Sequence, residues 1–368
     1  MRKLSLEDLR DVAVGATFLG SGGGGSPENG LKLVEEIGGI TSEITVVDPE
    51  EISDSEYVAM IAGMGSPVAL KEKGFGPEAT NAFDGLQKLY GWLGIEFRYI
   101  MPGETGGFNI ITPIYVAATR NLTVVDADGT GGRAVPDLET TLYYLYGIPT
   151  SPFVLADREG NLVMGWTKNP MNAPTCENIA RHVVVSFGML AGLGTWVATG
   201  HQIKTCLEPR VIVKSEMIGK TLKRAKAEGK NPVDEVIKAT GGYELIRGEI
   251  VKIETRTVAG FDFGRTTIKG IGGFEGKEVS IDFKNENMIA WKAEGEPLAM
   301  VPDLICLLTL NGDPLTNADT REGLKISVIA LPASERWRKH PKGFEVWKPI
   351  LEKMNYKGEY IPVEKLVG

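Results

Sequence analysis

Strand and helix signals alternate from residue 44 onward until the pattern changes after about residue 165, and this change of rhythm constrains the fold more than any other feature. The runs 44–47, 57–62, 96–100 and 122–125 are strand-length and rich in β-branched and aromatic or other apolar residues. Between and after them, 77–93, 108–120 and 136–146 have helical length and spacing, the last with Pro136 in its first turn. A β-α-β-α order predicts an α/β domain, a mainly parallel sheet in a three-layer arrangement with helices on its faces. Ahead of it, 5–19 reads as a helix with Ser5 as N-cap, followed by the glycine-rich run 20–27 and a second helix ending at Gly38-Gly39. Residues 168–174 look like a connector, and 216–239 like one or two helices broken near 229–232. From residue 244 onward, short β-rich runs separated by turn residues predict a mainly β domain, barrel- or sandwich-like. The expected division is therefore 1–167, α/β, and 168–368, mainly β with a helical insertion near 216–240.

Length agrees with two domains. Single cores stop growing near roughly 250–300 residues, and the chain has 368. The formal charge of −8 argues against nucleic acid as a partner, which would require a basic surface. No run of 18 apolar residues is present, so no membrane helix is expected. Glu7, Asp8 and Asp11 occupy the place where a secretory leader would be apolar. Cys176, Cys206 and Cys306 are odd in number and widely spaced, which fits free thiols in a cytoplasmic protein. Sheet edges in the second half make a homo-oligomer the expectation.

Chemistry is concentrated in residues 101–137. Glu104, Asp126, Asp128, Arg133 and Asp137 stand there among six glycines. Asp48, Ser66, Glu104, Asp126 and Asp128 all fall at expected carboxyl ends of strands, outside which open α/β sheets bind ligands. Asp48 and Ser66 are equally well explained as cap or turn residues. If the chain stays extended, Asp126 and Asp128 point to one side, where two carboxylates either share a proton or hold a cation. Arg133 is either a surface arginine or a bidentate clamp for a substrate carboxylate. Asp137 is a candidate for substrate binding or a first-turn helix acid.

The run from Gly20 to Gly25 formally matches G-x-G-x-x-G. That motif binds dinucleotides when it follows a strand, and here a helix precedes it. A plain connector and a wall of backbone amides facing an anion remain open, the latter through Gly22, Gly23, Gly24 and Gly25. Of three histidines, His182, His201 and His340, none lies in the first domain, and only His201 is placed to reach a cleft from the second.

The segments Leu19-Gly20-Ser21-Gly22-Gly23-Gly24-Gly25, Pro102-Gly103-Glu104-Thr105-Gly106-Gly107 and Val125-Asp126-Ala127-Asp128-Gly129 with Gly132-Arg133-Ala134-Val135-Pro136-Asp137 resemble the S-methylthiohydantoin desulfurase-like family. The resemblance spans most of the chain and is specific in the first half. It implies an N-terminal α/β and a C-terminal β-rich domain, and hydrolytic release of a thiol from C2 of a thiohydantoin- or hydantoin-like ring. Family members are often encoded beside hydantoinase/oxoprolinase proteins, which the resemblance implies as partners. In that reaction Glu104 or Asp128 is the candidate base, with Asp126 beside them. The amides of Gly22–Gly25 stabilise developing charge, and Arg133 anchors the substrate. A divalent metal, where present, would take Asp126, Asp128 and Glu104, with His201 as a further ligand. Two other readings stand: a non-catalytic binder of a hydantoin-like metabolite or hydantoinase-associated subunit, and, resting on the Gly20 loop alone, a nicotinamide-dependent oxidoreductase.

Overall fold

The computed structural model describes residues 1–65, 67–258 and 261–367; Ser66, one of the strand-end candidates, lies outside the described residues. The first half is built on an eight-stranded sheet. Its order is Arg2–Ser5, Glu43–Val47, Thr123–Val125, Tyr99–Pro102, Tyr57–Gly65, Leu190–Thr199, Phe153–Ala156, Leu162–Gly165. The four strands from Glu43–Val47 to Tyr57–Gly65 are parallel, and the outer pairings on either side are antiparallel. Leu190–Thr199 lies beyond the change of pattern near residue 168 and is nevertheless the direct neighbour of Tyr57–Gly65.

Both faces of this sheet are buried, as a parallel sheet requires. Along Tyr57–Gly65, Ala59 and Ile61 pack under the helices Leu6–Leu19, Pro27–Gly38, Pro77–Gly91 and Thr112–Arg120. The alternate residues Val58, Met60, Ala62 and Met64 enter a different core. That second core includes helix Ala173–Ser186, Met288, Ile289 and Met300 of the second sheet, and Trp337, Trp347 and Leu351 near the C-terminus. One apolar cluster thus joins both halves.

The second half carries an eight-stranded antiparallel sheet. Its order is Pro297–Met300, Glu286–Lys292, Glu278–Lys284, Phe261–Gly270, Tyr243–Val258, Lys325–Leu331, Leu304–Thr309, Pro314–Leu315. Glu286–Lys292 also lies against Leu304–Thr309, so the sheet curls toward itself. The expected α/β plus mainly β architecture is what the chain adopts. The helical insertion is Val211–Ala227 followed by Pro232–Thr240. Val211–Ala227 packs on Leu6–Leu19 at backbone contact: a Cβ on Gly15 would lie 1.8 Å from the Ser215 carbonyl oxygen, and one on Gly219 2.0 Å from that of Asp11.

Two expected helices are shorter than their patterns. Thr112–Arg120 replaces 108–120, with Pro113 in its first turn. Of 136–146 only Leu142–Leu145 is helical, capped by the Thr141 hydroxyl. Pro136 and Asp137 belong instead to an irregular stretch in which the Val135 and Leu138 amides donate to the carboxylates of Glu104 and Glu177.

Candidate active site

The glycine loop sits between the two halves. It follows helix Leu6–Leu19, so the strand context that dinucleotide binding needs is missing. Gly22, Gly24 and Gly25 adopt φ of 92°, 73° and 81°, which other residues rarely adopt. On one side the Gly24 carbonyl accepts from the amides of Phe108 and Asn109, both at 3.2 Å. On the other, the carbonyls of Ser21 and Gly22 accept from the amides of Asn287 and Asn317 at 2.7 and 2.8 Å. The amides of Gly22, Gly24 and Gly25 make no hydrogen bond among the described residues, and helix Pro27–Gly38 begins immediately beyond. The loop thus offers N–H groups at a helix start, as an anion-facing wall would.

Glu104 follows strand Tyr99–Pro102 and is partly buried. Its Oε1 accepts from Asn109 Nδ2 at 2.6 Å and its Oε2 from the Val135 amide at 3.0 Å. Asn109 is held in turn by accepting from the Gly63 amide at 2.9 Å. Burial nonetheless pushes Glu104 up to about 7.

The second acid comes from the other half. Glu286 begins strand Glu286–Lys292 and is buried at 4% exposure. It lies so close to the loop that a Cβ on Gly23 would be 1.9 Å from its Oε1. Only glycine admits that approach. Burial pushes Glu286 up to about 8, the charge of Glu104 adds to the rise, and Arg133 and Lys284 oppose it. Glu104 is raised by burial and by the charge of Asp128, and Glu286 by burial and by the charge of Glu104, so one of the two acids can donate a proton while the other accepts.

Asp128 is fully buried and serves the turn that follows it. Oδ1 accepts from the amides of Thr130, Gly131 and Gly132 at 3.2, 3.0 and 3.0 Å. Oδ2 accepts from the hydroxyls of Thr105 and Thr130 at 2.6 and 2.9 Å. Asp126 has different partners. The first sheet's strand ends at Val125, and Asp126 accepts from the amides of Ile212 and Val213 at 2.6 and 3.2 Å, capping helix Val211–Ala227. The two carboxylates share no partner.

Arg133 has no solvent exposure. Its guanidinium donates to the carbonyls of Ala134, Pro302, Asp303 and Asn287 at 3.0 to 3.3 Å and lies 5.0 Å from the centre of the Trp347 ring. Three of those carbonyls belong to the second half, so the arginine fastens the halves together, and four of its five N–H donors are spent. Burial lowers it to about 10, against the pull of Glu286, Asp303 and Glu104. Asp137 pairs with Lys284 at 2.5 Å and accepts from Thr140. His201 is exposed on helix Gly200–Cys206 beside Asp54, 3.7 Å away, and does not join the acids. Asp48 caps a short turn and pairs with Arg210 at 2.9 Å. Among the described residues no three His, Cys, Asp or Glu side chains gather to hold a metal ion.

The structure therefore brings together the glycine loop, Glu104, Asp128 and Arg133. Sequence reading missed Glu286, Asn287 and Asn317. The one signal for Glu286 and Asn287 is a polar stretch, Asn285-Glu286-Asn287, at the head of a largely apolar strand; Asn317, in a short turn, has none.

Family models describe both halves. The S-Me-THD-like N-terminal domain matches residues 7–165, and the S-Me-THD-like C-terminal domain matches 171–363. No curated protein matches the chain. A protein from Chromobacterium violaceum of known crystal structure superposes with a TM-score of 0.85 at 26% identity, over 99% of this chain and 100% of that one. With nearly its whole length matched by the two models in order, the chain belongs to the S-Me-THD-like family.

Proposed function

We propose that the protein hydrolyses a thiohydantoin- or hydantoin-like five-membered ring at C2, releasing a thiol. The family supports a role in thiohydantoin metabolism. The observation that carries the reaction type is the acid pair: Glu104 from the first half and Glu286 from the second, both raised toward neutrality beside unbonded glycine amides. Glu104 removes a proton from water as its oxygen adds to C2. The amides of Gly22, Gly24 and Gly25 stabilise the charge that develops on the ring. The C2–S bond then breaks, the thiol leaves with a proton from the pair, and the carbonyl forms at C2. For an S-methyl substrate the products are the hydantoin and methanethiol. Asp128 and Arg133 hold the surrounding backbone and do not react.

No helix among the described residues is long and apolar enough to cross a membrane, and all three cysteines are free, which supports a cytoplasmic setting. Thiol release from S-methylthiohydantoin tests the assignment. Glu104→Gln is expected to lower kcat by about 100-fold or more in a protein that still unfolds cooperatively. Full turnover by the folded variant would remove Glu104 from the chemistry.

A further inference from the structure

Three buried oxygens of the second half lack a donor among the described residues: Glu286 Oε2, Asn287 Oδ1 and Asn317 Oδ1. All three side chains surround one turn of backbone. A Cβ on Gly22 would lie 2.6 Å from Asn317 Nδ2 and 2.9 Å from Asn287 Nδ2, and a Cβ on Gly23 1.9 Å from Glu286 Oε1. The orientation of both amides is set by their own bonds. Asn287 Nδ2 donates to the Ile305 carbonyl at 2.8 Å, and Asn317 Nδ2 to the Asn285 carbonyl at 2.7 Å, which turns each oxygen away from those partners. A buried acceptor without a donor costs free energy. Three at the seam between the halves, next to the proposed reacting acid, form a set that a ligand carrying N–H donors would complete.

The charge nearby selects the kind of ligand. Arg133 is buried without a carboxylate at ion-pair distance among the described residues, and it acts electrostatically on Glu286. Its positive charge opposes a metal cation at these oxygens. A neutral ring with N–H groups meets the acceptors without that repulsion.

We infer that Glu286, Asn287 and Asn317 form an acceptor wall that reads the ring N–H groups of the substrate, and so select cyclic ureides with free N–H over N-substituted rings. This rests on the proposed function and adds to it the part of the molecule that chooses among rings. In this reading the glycine amides meet developing negative charge and these oxygens meet the ring N–H groups.

Calorimetric titration of the full-length protein with hydantoin and with 1,3-dimethylhydantoin tests it. Hydantoin is expected to bind at least 10-fold more tightly. Asn317→Ala, at a partly exposed position, is expected to weaken hydantoin at least 5-fold and to shrink the gap between the two rings. A methyl clash alone would leave that gap intact. Glu286→Leu, which removes the acceptor at similar size, is expected to weaken hydantoin likewise, and serves if Asn317→Ala does not fold. Equal affinity for the two rings, or hydantoin binding untouched by both variants, overturns the acceptor wall while the ring hydrolase stands. Binding of neither ring overturns both. A rise of several degrees in unfolding midpoint with potassium or calcium chloride, beyond lithium chloride at equal ionic strength, would mark a cation site and also overturn it.

Discussion

Two charged regions of this molecule are built on opposite rules. Where helix Leu6–Leu19 meets Val211–Ala227, charge is matched at the rim, exposed lysines meeting acids that range from buried to exposed: Lys220 reaches Asp8 and Glu216 at 2.6 Å, and Lys223 reaches Glu7 and Asp11 at 2.8 and 2.9 Å. At the seam between the halves, charge is buried and incompletely matched. Glu104 and Glu286 are raised toward neutrality, and Glu286 Oε2 has no donor among the described residues. Matched pairs near water contribute little energy and fix how two helices lie together. Buried, under-matched groups are costly, and a fold keeps them where they do something besides hold it together.

Arg133→Met gives the strongest test of that contrast. It deletes the donor for four carbonyls, three of them across the seam. A loss of about 3–5 kcal/mol in chemical denaturation is expected. A loss below 1 kcal/mol would mean the seam does not depend on it.

The acid pair comes next. In the folded protein Glu104 and Glu286 titrate above the ordinary glutamate value of 4.5. Between that value and neutrality the native state keeps protons that the unfolded chain has released. Stability contributed by the pair is therefore present at low pH and lost as pH rises through about 5 to 8, by about 1.4 kcal/mol per pH unit for each proton retained. Denaturation midpoints of wild type and Glu286→Gln across this range should converge at the acidic end and separate toward pH 8, the variant being the more stable there. Thiol release should rise over the same range, as Glu104 becomes a free base.

Smaller effects are expected away from the seam. Asp126→Ala removes the cap of Val211–Ala227 and should cost about 1–2 kcal/mol, while kcat of the folded variant stays far above that of Glu104→Gln. Lys220→Ala, in the matched region, should cost about 1 kcal/mol or less, and the cost should shrink further at 1 M salt.

Much of the architecture was legible because it is local. Apolar runs ending in glycine or acid gave the parallel strands, and Ser5 is the helix cap that its position suggested. The stretch 129–141 was not legible. Pro136, Asp137 and Leu138 imitate a helix start, yet the Val135 and Leu138 amides are taken by the carboxylates of Glu104 and Glu177, partners that no local pattern reveals. Asp126 and Asp128, two residues apart, looked like one site. They separate because the strand ends at Val125 and the chain pairs anew, Ala127–Asp128 with Glu208–Pro209. Glu104 was visible because it stands among glycines. Glu286 was hidden because a polar residue on a strand of an antiparallel sheet ordinarily faces water, and only the fold brings Gly23 against it.

The apolar cluster shared by the two sheets bears on how such a chain can be divided. Two family models meet near residue 170, inviting expression of each part alone. The cut would strip Tyr57–Gly65 of its neighbour Leu190–Thr199 and expose Val58, Met60 and Met64 where Trp337 and Trp347 complete their core. Each fragment would present a sticky face and an open strand edge, and neither would hold both acids. The pieces are inherited and must be handled as a single unit, because each one supplies the other's interior.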